Sequence, residues 1–156
     1  MSVNNLPSES TRHVAAEDSA ATWRAQRTEH AQHQAEELAR RQARETAQAR
    51  ELLLTFIAAA SDAGLEPSRL TARGYKGKTR YKTNLFGWYL KQNRSVAVDT
   101  EGNFYVLSVQ DSVLGRFTGV QPTPSDPPLV LGLGGRDGES LDLTEAIDRL
   151  LHPENY

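Results

Sequence analysis

The chain has 156 residues, 38% of them hydrophobic, no cysteine and a formal net charge of −2. This suits one domain with an appendage, and it excludes disulfides, thiolate metal sites and a cysteine nucleophile. A mean hydropathy of −0.58 is low for a compact domain of this length, so part of the chain buries little surface. The small net charge hides a segregation: residues 1–65 hold seven Lys/Arg against nine Asp/Glu, residues 66–95 eight against one, and residues 96–156 three against ten. Such asymmetry bears on partners rather than on fold.

Residues 1–14 are polar and turn-prone and are expected to be a disordered tail. They lack a cationic start followed by an apolar stretch, so no secretory signal is read there. The longest apolar run, residues 56–60, is too short for a bilayer, and a cytoplasmic protein without membrane association is expected.

Residues 15–63 contain no Gly and no Pro and are dominated by Ala, Gln, Glu and Arg, which predicts one long helix. Glu36–Arg40 and Glu37–Arg41 have the favourable i, i+4 order, and Gly64 followed by Pro67 predicts the stop. In residues 48–64 the positions Leu52, Leu53, Phe56, Ile57 and Ala60 form an apolar stripe that should pack on the rest of the chain. In residues 15–47 Trp23 and Leu38 are the large apolar residues, and Ala31, Ala35, Ala39, Ala43 and Ala47 recur every fourth position. A spacing of four drifts about 40° per step around an α-helix, so this column is no heptad seam. The arm is read either as a solvated single helix or as a device for homo-oligomerisation.

After Pro67 the pattern changes to that of strands. Residues 70–75 and 81–92 are predicted strands, with Tyr81, Leu85, Trp88 and Leu90 as core candidates. Residues 95–99 and 103–109 flank Thr100, Glu101 and Gly102, a hairpin in which Gly102 supplies a positive φ. Val96, Val98, Phe104 and Val106 should share a face, with Val109 a further candidate. Residues 114–120 are read as another strand, and Pro122, Pro124, Pro127 and Pro128 make residues 121–128 an extended loop crossing the sheet edge. Residues 129–131 read as a short buried strand and residues 143–151 as an amphipathic helix, with Asp142 and Glu145 spaced as an N-cap and its N3 partner. The expected fold is α+β: a long N-terminal helix, then in residues 68–152 a small antiparallel meander of four to five strands with a short C-terminal helix.

The chemistry concentrates in residues 73–94. Arg73, Lys76, Lys78, Arg80, Lys82, Lys91 and Arg94 can neutralise phosphates, and Tyr75, Tyr81, Phe86, Trp88 and Tyr89 offer faces for stacking, the combination used at single-stranded nucleic-acid sites. Strand alternation sets Lys78, Arg80 and Lys82 on one side and Tyr81 on the other, which separates an outward charge track from an aromatic core. Two alternatives stand beside binding. The cations solvate a sheet edge, or they pair internally with Asp99, Glu101, Asp137, Glu139 and Asp142.

Catalysis is the weaker class. His13, His30, His33 and His152 are scattered over the tail, the arm and the C-terminus. Residues 132–140 are Gly-rich but match neither the P-loop nor the dinucleotide fingerprint, and the acidic helix start that follows repels phosphate. No catalytic residue, metal ligand or cofactor is assigned. The sequence supports a non-catalytic binding or adaptor module contacting nucleic acid, a ribonucleoprotein or an acidic protein. The alternatives are a structural protein that assembles through its arm and, third, an enzyme using the Gly-rich loop.

Overall fold

The computed structural model describes residues 8–132 and 139–156. The expected disorder of residues 1–7, and Leu133, Gly134, Gly135, Arg136, Asp137 and Gly138 of the Gly-rich run, lie outside the described residues. The elements in chain order are α1 (Glu9–Asp62), β1 (Ser68–Gly74), β2 (Arg80–Tyr89), β3 (Val96–Asp99), β4 (Phe104–Val106), β5 (Ser108–Val109), α2 (Val113–Thr118), β6 (Val130–Leu131), β7 (Leu141–Asp142) and α3 (Leu143–Leu151), followed by a 3₁₀ turn at Pro153–Asn155. The arrangement is α+β, as the sequence predicts. No helix among the described residues is long and apolar enough to cross a membrane.

The helix α1 starts at Glu9 rather than at Ala15, because Ser8 caps it: the Thr11 N–H donates to Ser8 Oγ at 3.4 Å. Its C-terminus is set by Gly64, whose φ of +69° lets the Leu65 N–H reach the Ala60 carbonyl (2.9 Å) and the Gly64 N–H that of Ser61 (3.2 Å). This is the Schellman arrangement, and Leu65 then packs into the core.

The chain forms two compact units, Met1–Ala43 and Arg44–Tyr156. In the first, every described residue is exposed, Trp23 and Leu38 included. Its described ties are local: Arg40 pairs with Glu37 (2.6 Å) and Glu36 (3.7 Å), and the Arg27 guanidinium lies 4.7 Å from the Trp23 ring centroid. In the second unit Ala49, Leu53, Phe56 and Ala60 are fully buried, the i, i+4, i+7, i+11 stripe of a helix packed on one side.

The sheet order is β4-β3-β2-β1-β5, antiparallel except where β5 runs parallel to β1. β4 and β5 are consecutive stretches of one extended segment, yet they occupy opposite ends of that order. Leu107 between them joins both: its N–H donates to the Ser95 carbonyl and its own carbonyl accepts from the Arg73 N–H, each at 2.8 Å. The sheet therefore closes on itself, which leaves it no free edge at the seam. Leu70, Ala72, Leu85, Ala97, Tyr105 and Leu107 fill the interior. Trp88, Leu90, Val96, Val98 and Phe104 point outward and form a second core with α1, α3 and Leu131 of β6. Phe56 meets Trp88 edge to face, with ring centroids 5.3 Å apart.

Three local expectations change. Residues 113–118 are helical, not a strand: Ser112 Oγ caps α2 by accepting from the Gly115 N–H at 3.1 Å, and Gly115 lies against the Tyr81 ring where a side chain would crowd it. Strand-like contact survives at Val120 alone, whose N–H donates to the Lys82 carbonyl at 2.8 Å. Residues 141–142 form a strand, β7, against β6. Asp142 stands at the N-cap of α3 but makes no side-chain cap bond, and Glu145 pairs with Arg149 (2.6 Å). Val106 shares the outward face of Val96, its register partner, but is 47% exposed where Val96 is 8%.

The 121–128 loop meets the β4 edge at Ser125, whose N–H donates to the Phe104 carbonyl at 2.8 Å. The hairpin at 99–103 also forms as read, with Gly102 at φ +93°.

Candidate anion-binding surface

β1 and β2 place the cations. Their register sets Arg73 directly opposite Arg80 and Thr71 opposite Lys82. Leu70 and Ala72 point inward, as do Tyr81, Thr83 and Leu85, so alternation drives Arg73, Arg80 and Lys82 outward, where all three are exposed. The turn between the strands carries exposed Lys76 and Lys78. Its base is tied by Asp111, which accepts from the Lys76 N–H at 3.0 Å and from the Tyr81 hydroxyl at 3.3 Å. A Cβ at Gly74 would overlap this carboxylate, so the backbone there must be bare.

Among the described residues, none of Arg73, Lys76, Lys78, Arg80 and Lys82 forms an ion pair. Asp99, one of the carboxylates offered for internal pairing, is occupied within its own hairpin. It accepts from the Glu101 and Asn103 N–H groups (2.9 Å each), from Asn103 Nδ2 (3.1 Å) and from the Tyr105 hydroxyl (3.1 Å). Burial, reinforced by this bond to a carboxylate, pushes the Tyr105 pKa up to about 12.

The other two cations separate from the track. Lys91 is buried at 7% exposure and its Nζ donates to the Glu139 carbonyl at 2.9 Å, so it belongs to the packing of that region rather than to the exposed surface. Arg94 is exposed, with its guanidinium 5.3 Å from the Tyr89 ring centroid. It lines one pocket together with Arg73 and Arg80.

The aromatics divide into core and surface, though Phe86 and Trp88 share a face of β2. Tyr81 and Trp88 are core, whereas Tyr75 (65%) and Phe86 (47%) are exposed beside the track.

Two cations were missed. Arg69 pairs in register with Phe86, and its guanidinium lies 5.2 Å from that ring centroid. Its parity with Arg73 along β1 is the signal that could have found it. Arg116 reaches Thr79 Oγ1 at 3.3 Å from α2, and no sequence signal placed it there, because residues 114–120 read as a strand.

Comparison with protein-family models, with curated proteins and with solved structures gives no significant match to this chain.

Proposed function

We propose that the chain is a non-catalytic binding module whose β1–β2 surface contacts a polyanion, with single-stranded nucleic acid the best fit. The observation that carries this reading is the cross-strand pair Arg73–Arg80, continued by Lys82 and by the Lys76–Lys78 turn. Like charges set directly opposite each other destabilise a sheet, and among the described residues no carboxylate relieves this pair. An external anion does so. Exposed Tyr75 and Phe86 flank the cations and supply flat faces, so a strand of phosphates and bases suits the surface better than an acidic protein.

The test is titration of fluorescent single-stranded oligonucleotides at several salt concentrations. If five phosphates are engaged, log affinity falls with log salt at a slope of about −3.5. The double variant Arg73→Glu, Arg80→Glu loses binding while keeping its melting temperature. Absence of binding at low salt ends the proposal, and binding by an acidic peptide but not by oligonucleotides reassigns the partner.

Self-association through the arm is a second reading, supported by the exposure of every described residue from 8 to 43. Sedimentation of the full chain against a chain beginning at Gln48 tests it; two monomers refute it.

A further inference from the structure

A pocket of about 570 Å³ opens at the seam of the closed sheet, within the size range of small-molecule sites. Its apolar lining includes Val96, Phe104, Val106, Leu107 and Leu131, and its polar side carries Arg73, Arg80 and Arg94. Asp126 is the one carboxylate among the described lining residues, and Arg50 engages it at 2.8 Å.

We propose that this pocket binds a small amphipathic anion, a carboxylate head on an apolar body. The inference goes beyond polyanion binding: the pocket shares Arg73 and Arg80 with that surface and adds Arg94 and an apolar wall. Three observations converge on it.

Val106 stands in register with buried Val96 on the outward face but is 47% exposed among the described residues, so an apolar wall faces the pocket. Beside that wall, Arg73 and Arg80 present planar guanidinium groups that make no ion pair among the described residues, and such groups take a carboxylate through two parallel hydrogen bonds.

Arg94 is the one non-glycine with positive φ, +60°, among the described residues. That conformation is strained for a β-carbon-bearing residue, and glycine adopts it freely. The turn is held by the Arg94 N–H donating to the Lys91 carbonyl at 3.0 Å, which does not need an arginine side chain. The guanidinium stacked on Tyr89 at the pocket is what glycine could not supply.

The experiment is calorimetric titration of the full chain with octanoate, 1-octanol and acetate, each below any micellar concentration. Octanoate binds saturably with one site. 1-Octanol binds about tenfold more weakly or worse, having lost the charge-assisted bonds, and acetate shows no binding. Val106→Trp, which intrudes on the apolar wall of the pocket, weakens octanoate binding at least tenfold and leaves oligonucleotide binding unchanged. Arg94→Gly weakens octanoate binding severalfold while its melting temperature stays level or rises.

No saturable octanoate binding at millimolar concentration overturns the proposal. Equal binding of octanol and octanoate overturns the anion requirement. Unchanged octanoate affinity in either variant overturns the location. Val106 and Arg94 lie off the β1–β2 track, so their variants lose octanoate and keep oligonucleotide binding, whereas Arg73→Glu, Arg80→Glu loses both.

Discussion

Strand β2 presents the same outward-facing register along its length and continuing to Leu90, yet its two ends have opposite fates. At one end Arg80, Lys82, Asn84 and Phe86 are exposed; at the other Trp88 and Leu90 are buried beneath α1 and α3. Alternation alone put all six on the same side. What divides them is cover. α1 lays Phe56 against Trp88, while Phe86 is left 47% exposed. Outward position is thus a property of the strand, while burial is a property of its neighbours, and the uncovered end is the one that holds the cations.

The largest test of this contrast compares two phenylalanines. Phe56→Ala should cost about 3–5 kcal/mol in chemical denaturation, because it opens a cavity against Trp88. Phe86→Ala should stay within about 0.5 kcal/mol, as an exposed substitution does. Equal losses break the distinction between the two ends.

Gly87, at the boundary between them, packs so closely on β3 that a Cβ would overlap the Val98 carbonyl oxygen. Gly87→Ala should therefore cost about 1–3 kcal/mol, since backbone must shift.

Asp99→Asn removes a carboxylate acceptor from the hairpin next to the covered end and should cost about 1–3 kcal/mol. The same substitution should lower the Tyr105 pKa from about 12, read by ultraviolet absorbance in an alkaline titration. The sign follows from the neutral phenol being the favoured form in the fold. Its contribution is full below pH 10, the unfolded value, and is lost as pH rises from 10 toward about 12.

The smallest effect belongs to the cationic end. Arg80→Glu should leave stability within about 0.5 kcal/mol or raise it, because it replaces a like-charge pair with an attractive one opposite Arg73. It should nonetheless weaken oligonucleotide binding. A large loss of melting temperature would mean that Arg80 has a structural partner.

Much of the architecture was legible because it is local. The stop of α1 at Gly64, the hairpin around Gly102 and the boundaries of α3 depend on propensities and turn chemistry within a few residues. The helix α2 was not legible. Val113, Leu114 and Phe117 carry the residue types of a strand, and six residues are too few to show a helical period. They are 76%, 70% and 85% exposed, so their burial did not select the helix; the Ser112 cap and the fit of Gly115 on Tyr81 did. Of the candidate surface, the outward side of Arg80 and Lys82 and the core role of Tyr81 were readable from alternation, whereas the burial of Trp88 comes from its cover by α1. The contribution of Arg69, the withdrawal of Lys91 and the pocket at Arg94 were not.

By itself the sequence determined the helix, the hairpin, the segregation of charge and the parity of each strand, all set by neighbours in the chain. Only the tertiary structure decided that residues 104–109 join β3 to β1 and close the sheet, that Arg73 faces Arg80, and that Val106 rather than Val96 is left uncovered. These depend on pairing between segments far apart in sequence. Their free energy comes from which surfaces meet, and no local pattern records that.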